Sequence, residues 1–246
     1  MKIDLNADLG EGLDDSLLLP FLSSANVACG LHAGGPAVMD RTVALALERG
    51  VRIGAHPGYP DRENFGRTDL QLAPGELRSI VLYQLGALDV LVRARGGKLV
   101  HVKAHGALYN RAARDRALAR AFAEAVREFS ADLILVGLAG SVQLDEARAA
   151  GLRAAGEAFA DRRYLPDGAL VPRSQPGAVL HDPADAAAQA LSIVRDGRVT
   201  AADGSRVAVS AQTLCLHGDT PGAAEIARAV QSALKSAGAE IAPLPR

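Results

Sequence analysis

Five of the six histidines of this chain lie in short polar clusters, each of which follows a run of apolar residues. The six clusters span residues 6–12, 28–34, 55–61, 101–106, 157–163 and 216–219. Imidazole, carboxylate and amine groups that meet in one place can transfer protons or stabilise an oxyanion. The clusters are separated by strand-plus-helix lengths. They are therefore predicted to meet at the C-terminal ends of parallel strands, where βα-barrels assemble active sites.

The first predicted strand carries polar residues at every second position. Asp4, Asn6 and Asp8 share one face of it, because side chains alternate along a strand. Asp8 lies where the strand ends and is a candidate catalytic carboxylate, although it could instead hold loop amides. Asp4 lies deeper and is a candidate structural residue.

Lys103 lies between His101 and His105 at the same spacing, in a chain with only four lysines. An inward-pointing ammonium needs an anionic partner. Lys103 is therefore predicted to stabilise an oxyanion or hold a carboxylate or phosphate, the structural alternative being an ion pair with Asp8 or Glu157. His105, followed by glycine, is the candidate for proton transfer, and His101 is predicted to be a core residue.

Further polar residues are predicted to line or orient the same pocket. They are Asn6, Glu11, His32, His56, Arg67, Asp161, His217 and Asp219. Arginine forks such as that of Arg67 bind carboxylates. Asp219 is expected either to orient the His217 imidazole or to cap the helix that follows.

Metal binding remains an open alternative. His and carboxylate side chains suit zinc and similar ions, and Asp8, His56 and His105 are the candidate ligands. The chain has no His-Glu-x-x-His motif, so no local ligand pair supports this alternative.

Seven apolar segments of strand length alternate with stretches of helical periodicity. The predicted strands are 2–6, 25–28, 51–55, 99–103, 133–137, 152–157 and 213–216. This alternation predicts an α/β fold with parallel strands, and 246 residues fit one (β/α)-barrel domain over 1–246. An open doubly wound sheet is the competitor, but no Gly-x-Gly-x-x-Gly follows the first strand. Residues 159–182 are predicted to form a lid or binding loop.

Prolines mark the predicted helix starts, since proline costs no backbone hydrogen bond there. They are Pro36, Pro74, Pro183 and Pro221. Asp182 and Thr220 are predicted to cap the last two helices.

Composition excludes several classes of function. Net charge is −1 and basic residues form no long run, so we expect neither nucleic-acid binding nor attachment to an anionic membrane. The chain start lacks the apolar segment of a signal peptide, and no stretch is long and apolar enough to span a bilayer. With only two cysteines and no disulfide framework expected, we predict a cytoplasmic protein.

The clusters resemble those of the LamB/YcsF family, which includes the A subunit of the prokaryotic ATP-dependent 5-oxoprolinase. The resemblance spans essentially the whole chain and rests on the segments 4–11, 24–34, 54–61, 65–67, 105–110, 157–164 and 217–219. It implies a distorted (β/α)7 barrel related to the glycoside hydrolase/polysaccharide deacetylase barrel fold. It also implies cleavage of the lactam of 5-oxo-L-proline to L-glutamate, coupled to ATP hydrolysis, in a complex with subunits B and C.

From the resemblance and the clusters together, we expect this chain to open a phosphorylated 5-oxoproline. Asp8 or Glu157 would activate water, Lys103 would stabilise the oxyanion or hold phosphate, and His105 would serve the leaving nitrogen. The chain has no P-loop motif, which is consistent with phosphorylation by the partners. Lys103→Met is expected to lower activity by several orders of magnitude while leaving the chain folded.

Two alternatives remain open. One is a metal-dependent carbohydrate deacetylase, against which stands the absence of tryptophan and an aromatic content of 4%. The other is a non-catalytic subunit that presents the substrate to its partners.

Overall fold

Seven parallel strands close into a barrel in the computed structural model, which describes residues 1–245. The barrel order is β1-β2-β3-β4-β5-β6-β9, with β9 pairing back to β1. The strands are β1 (Lys2–Leu9), β2 (Ser24–Ala28), β3 (Arg52–His56), β4 (Leu99–Lys103), β5 (Ile134–Leu138), β6 (Arg153–Phe159), β7 (Arg198–Thr200), β8 (Arg206–Ala208), β9 (Thr213–Leu216) and β10 (Glu240–Ile241). The predicted (β/α)7 barrel is confirmed, and every predicted barrel strand overlaps an observed one.

Helices surround the barrel and connect its strands. They are α1 (Pro36–Glu48), α2 (Pro74–Ala94), α3 (Gly106–Ala112), α4 (Arg116–Phe129), α5 (Val142–Ala149), α6 (Pro183–Leu191) and α7 (Ala223–Ser236). Two short 3₁₀ turns, Asp15–Leu17 and Leu19–Phe21, follow β1, and a π-helical turn, Ser192–Asp196, follows α6. Among the described helices, none combines the length and apolarity needed to cross a membrane.

Side-chain alternation in β1 separates the apolar core from a polar barrel interior. Ile3, Leu5 and Leu9 belong to the core that packs against the helices. Asp4 and Asn6 occupy the opposite face and are almost fully buried. Residues of the adjacent strands β2 and β9 satisfy them with hydrogen bonds, as burial of polar groups requires.

The barrel is irregular between β3 and β4, where the register shifts at Ile53/Gly54. The ring of His101 occupies the space beside Gly54, where an added Cβ would lie only 2.1 Å from Nε2. His101 Nε2 bonds Asn26 Oδ1 at 2.8 Å, and burial lowers the pKa of His101 to about 3. His101 is thus a neutral residue of the barrel interior, as predicted.

Helix starts follow the proline and cap predictions except at the last helix. The helices α1, α2 and α6 begin at their prolines, and Asp182 accepts a hydrogen bond from Ala184 N. The predicted cap at Thr220 is wrong, because residues 220–223 form a turn in which Ala223 N donates to Thr220 O. The helix α7 therefore begins at Ala223, after Gly222 with φ +78°.

The connection from β6 to β9 is the longest one and contains the predicted lid. Residues 160–182 have no regular strand but are held by bridges between Arg162 and Val179 and between Tyr164 and Leu170. The hydroxyl of the buried Tyr164 accepts from Phe159 N at 2.7 Å, which ties the loop to the end of β6. After α6, the β7–β8 hairpin leads into β9.

Candidate active site

A cavity of about 710 Å³ opens at the C-terminal ends of the barrel strands. Residues at the ends of six strands contribute to its wall, namely Asp8, His56, Lys103, Leu138, Phe159 and His217. Residues 167–174, from the predicted lid, form the opposite part of the wall. This volume is suited to a small polar substrate.

Lys103 lies between two carboxylates at the base of this cavity. Its Nζ is 3.0 Å from Asp8 Oδ1 and 2.9 Å from Glu157 Oε1, and its side chain is almost fully buried. Glu157 Oε2 also accepts a 2.7 Å hydrogen bond from the hydroxyl of Tyr109. The structural alternative for Lys103, an ion pair, is therefore present with both acids, and the ammonium still reaches the cavity wall.

Electrostatics keep both members of the Asp8–Lys103 pair charged. Burial opposes the charge on Lys103, but Asp8 and then Cys215 and Glu157 raise the pKa of the amine well above its ordinary value. Burial likewise opposes charge on Asp8, but His56 and Lys103 lower the pKa of this carboxyl well below its usual range. The site thus presents a fixed ammonium beside a fixed carboxylate.

Glu11 and three histidines form a second group, which we call the histidine cluster: Glu11, His32, His56 and His105. Glu11 Oε1 lies 3.0 Å from His32 Nε2 and 3.1 Å from His105 Nδ1. His32 and His105 stack with ring centroids 3.8 Å apart. Burial raises the pKa of Glu11, but its contacts with the His105 and His32 imidazoles outweigh burial and lower the pKa. Burial lowers the pKa of His32 to about 4.

Gly66 makes this stacking possible. It has φ +66°, and a Cβ on it would lie 2.8 Å from His32 Cβ and 2.9 Å from His105 Cδ2. The carbonyl of the preceding Phe65 is 2.8 Å from His105 Nε2. Nε2 of His105 is therefore taken up by this carbonyl, and Nδ1 lies against Glu11 and His56. This arrangement does not favour the expected role of His105 at the leaving nitrogen.

His217 keeps one ring nitrogen unpartnered among residues 1–245, and a buried carboxylate orients it. Its Nδ1 is 2.9 Å from Asp161 Oδ1, and its backbone N–H donates to Asp161 Oδ2 at 3.0 Å. The ring stacks on Phe159 and lines the cavity. Burial opposes charge on Asp161, but His217 lowers the pKa of this carboxyl. The orienting acid is thus Asp161, which corrects the expectation for Asp219.

Asp219 instead holds two arginines at the mouth of the cavity. Its Oδ2 accepts from Arg67 at 3.2 Å and from Arg173 at 2.6 Å. Arg173 belongs to the lid segment, so this contact joins the lid to the loop that carries Arg67. Asp219 was also expected as a possible cap of the following helix, but the N-cap residue of α7 is Gly222.

Not every predicted site residue reaches the cavity wall. Asn6, His32, Glu157 and Asp161 lie behind it, each at 2% exposure or less. Asn6 was expected to bind the substrate, but its side chain hydrogen-bonds Thr213 and Asn26 within the barrel. Glu157, His32 and Asp161 each contact a residue that does line the cavity.

Sequence reasoning missed Tyr109, Arg173 and Cys215. The Cys215 thiol lies 3.2 Å from Lys103 Nζ. The alternation of Thr213, Cys215 and His217 could have revealed it, since the same rule picks out the polar face of β1. Arg173 carries no such signal, because a residue in an irregular loop has no periodic neighbours.

Two groups in residues 1–245 could hold a metal ion by the proximity of their donor atoms. One is the histidine cluster, and the other comprises Asp8, Cys215 and His217. The predicted ligand trio of Asp8, His56 and His105 is divided between these two groups.

Comparisons with known proteins identify the family of this chain. The LamB/YcsF family model matches residues 3–246. Two relatives carry the name of the A subunit of 5-oxoprolinase. The one from Methylococcus capsulatus is 55% identical over 98% of this chain and 95% of its own length, and the one from Bordetella pertussis is 53% identical over 97% of each.

Solved structures extend the comparison. The lactam utilization protein of Thermus thermophilus is 50% identical, with a TM-score of 0.94 over 99% of this chain and 100% of that one. A T48 deacetylase is 16% identical with a TM-score of 0.51, over 98% of this chain and 86% of that one, and therefore shares the fold alone.

Proposed function

The chain belongs to the LamB/YcsF family, and we propose that it is the ring-opening A subunit of an ATP-dependent 5-oxoprolinase. Relatives over 50% identical carry the name of that subunit, and a structural relative is named for lactam utilization. The observation that carries the proposal is the Asp8–Lys103 pair beside His217 on one cavity wall. A carboxylate, an ammonium and an oriented imidazole can act as the general base, the oxyanion partner and the general acid of amide hydrolysis.

ATP coupling follows from the chemistry of the substrate. A five-membered lactam is a resonance-stabilised amide, so unassisted attack by water is slow. Transfer of the γ-phosphoryl group to the lactam oxygen makes the ring carbon more electrophilic. We assign this transfer to subunits B and C, since the chain has no P-loop motif.

Ring opening then consumes two waters. The first water adds to the activated carbon and gives a proton to a base. The ring C–N bond breaks as the nitrogen takes up a proton, which leaves an acyl phosphate. The second water hydrolyses this acyl phosphate to L-glutamate and inorganic phosphate.

Asp8 is the base that we assign to the first water. It lines the cavity, whereas Glu157 is fully buried and lies behind Lys103, so the geometry favours Asp8 of the two candidates. Lys103 would stabilise charge on the phosphorylated oxygen. His217, oriented by Asp161, would give the proton to the leaving nitrogen, because its Nε2 has no partner among the described residues whereas both nitrogens of His105 lie against protein groups.

The two arginines at the cavity mouth would bind the substrate carboxylate. Arg67 and Arg173 approach from different loops, and Asp219 holds both guanidinium groups. Arginine forks bind carboxylates with defined geometry. Alanine at Arg173 should therefore raise KM for 5-oxoproline and change kcat less.

Glutamate release from 5-oxoproline and ATP tests the proposal, with purified cognate subunits B and C in the presence and absence of this chain. We expect release only with all three, and its loss with Asp8→Asn at unchanged complex formation. Substitution of the exposed His181 provides the matched control. Release without this chain, or full release with Asp8→Asn, would contradict the proposal.

A further inference from the structure

The histidine cluster brings two ring nitrogens and a carboxylate oxygen together at hydrogen-bond distance. His56 Nδ1 lies 2.9 Å from the carbonyl oxygen of Lys103, and His105 Nε2 lies 2.8 Å from that of Phe65. A carbonyl oxygen only accepts hydrogen bonds, so each of these outer nitrogens must carry the ring proton. In the neutral rings, His56 Nε2 and His105 Nδ1 are therefore bare acceptors.

These two acceptors face each other and a carboxylate. His56 Nε2 is 3.0 Å from His105 Nδ1. Glu11 Oε1 lies 3.1 Å from His105 Nδ1 and 3.8 Å from His56 Nε2. Three acceptors at this separation repel one another, so either a proton or a metal ion has to lie between them. The carbonyl bonds fix both tautomers in the form that suits a metal ligand, as ligating histidines usually show.

The distances fit a small transition-metal ion. Zinc bonds of about 2.0–2.1 Å in tetrahedral geometry place neighbouring ligand atoms about 3.3 Å apart. The three observed separations, 3.0, 3.1 and 3.8 Å, lie on both sides of this value. Two imidazoles and one carboxylate are a donor set that zinc and similar ions prefer.

His32 and Asp8 lie next to the three proposed ligand atoms. His32 Nε2 lies 3.0 Å from Glu11 Oε1 and can hold that carboxylate in place, while its own Nδ1 is buried without a hydrogen-bond partner among residues 1–245. Asp8 Oδ2 lies 3.2 Å from His56 Nε2. Glu11 and His56 both line the cavity, so an ion held here is within reach of a substrate.

We infer that Glu11, His56 and His105 form a divalent transition-metal site of the zinc class, with a fourth position open to the cavity. Such an ion would supply Lewis-acid chemistry beside Asp8. The inference rests on the ligand geometry and not on the proposed substrate. A binding measurement without substrate can therefore fail while the proposed function stands.

Zinc binding to the purified chain tests the inference. After removal of metals with a chelator, the protein is dialysed against Zn²⁺ and its metal content is measured by plasma mass spectrometry. We expect one zinc per chain. Cobalt in place of zinc should give the intense visible absorption of a four-coordinate site. This measurement uses the wild-type chain alone.

Variants locate the ion. Glu11→Gln keeps the shape of the side chain and should weaken zinc binding by at least about tenfold. His105→Ala should abolish binding, with folding checked by circular dichroism. His217→Ala is the matched control, because His217 lines the same cavity but belongs to the other candidate group; its zinc content should be unchanged.

Three results would overturn the inference. They are a zinc content near zero in the wild-type chain, equal zinc affinity in Glu11→Gln and wild type, and loss of zinc in His217→Ala with retention in Glu11→Gln. The last result would place the ion at Asp8, Cys215 and His217 instead.

Discussion

Lys103 shows how a catalytic and a structural role coincide in one side chain. Lys103 is 2% exposed, and its ammonium compensates the buried Glu157 and, together with His56, Asp8. Breaking a buried ion pair by removing one partner is strongly destabilising. The expectation that Lys103→Met leaves the chain folded therefore has to be revised.

Lys103→Met should lower kcat of the assembled enzyme by about 10²–10³-fold, the usual effect of removing an oxyanion partner. It should also lower the free energy of unfolding by about 3–5 kcal/mol, because Asp8 and Glu157 lose their cation. Urea unfolding of the isolated chain measures the second effect.

A double variant separates the two effects of Lys103. Adding Glu157→Gln to Lys103→Met removes one of the carboxylates that have lost their ion-pair partner. Part of the free energy of unfolding should therefore be recovered while activity stays low. Recovery of activity in the double variant would show that Lys103 acts only as a counter-ion.

Asp161 contributes stability in a pH-dependent way. Its hydrogen bonds with His217 lower its pKa in the folded chain below the ordinary 3.8. A lowered folded pKa gives stability that is present above about pH 4 and is lost as the pH falls through the folded pKa.

Asp161→Asn should therefore lower the free energy of unfolding by about 1.5–3 kcal/mol near neutral pH, the range for hydrogen bonds to a charged group. The difference from wild type should shrink as the pH falls below about 4. Urea titrations at a series of pH values measure it. A difference that is constant with pH would show that the ionised form of Asp161 is not what stabilises the fold.

At the scale of elements, the start of a helix can depend on the backbone conformation of one residue. The helix α7 begins after Gly222, whose φ of +78° is one that other residues adopt at a cost. In contrast, Gly86 lies inside α2, with no described heavy atom within 4 Å of an added Cβ. Substitution by alanine should therefore change the stability of the folded chain in opposite directions at the two glycines.

Gly222→Ala should destabilise the chain by about 1–2 kcal/mol, the cost of a left-handed backbone with a Cβ. Gly86→Ala should stabilise it by about 0.5–1 kcal/mol, because alanine loses less backbone entropy in a helix. Thermal unfolding of both variants is the measurement. Equal shifts of Tm in the two variants would contradict this account.

For the whole molecule, closure of the barrel depends on a polar seam between β1 and β9. Thr213 Oγ1 donates to Asp4 Oδ2 at 2.5 Å and accepts from Asn6 Nδ2 at 2.6 Å. Ser23 and Ser24 both donate to Asp4 Oδ1, which links β2 to the same seam. The seam holds the first and last barrel strands together at the end opposite the cavity.

Thr213→Val should lower the free energy of unfolding by about 1–3 kcal/mol, because Asp4 and Asn6 each lose a buried partner. Thr213→Ser keeps the hydroxyl and loses one methyl group, so it should cost only about 0.8 kcal/mol. Denaturant titration compares the two. The seam would be unimportant to closure if valine were tolerated as well as serine.

The sequence by itself determined the barrel, the family and the six polar clusters. Strand and helix periodicity are local properties, so the seven strands could be located within a few residues. Parallel strands bring their C-terminal ends to one face, so the convergence of Asp8, His56, Lys103 and His217 also followed from the order of elements.

Only the tertiary structure decided which atoms face which. It placed Glu157 behind Lys103 and paired His217 with Asp161 rather than with Asp219. It also directed His56 Nε2 and His105 Nδ1 toward Glu11. These contacts depend on the stagger of the strands and on the paths of irregular loops. Both are set by packing between residues far apart in the chain, and no local sequence pattern encodes them.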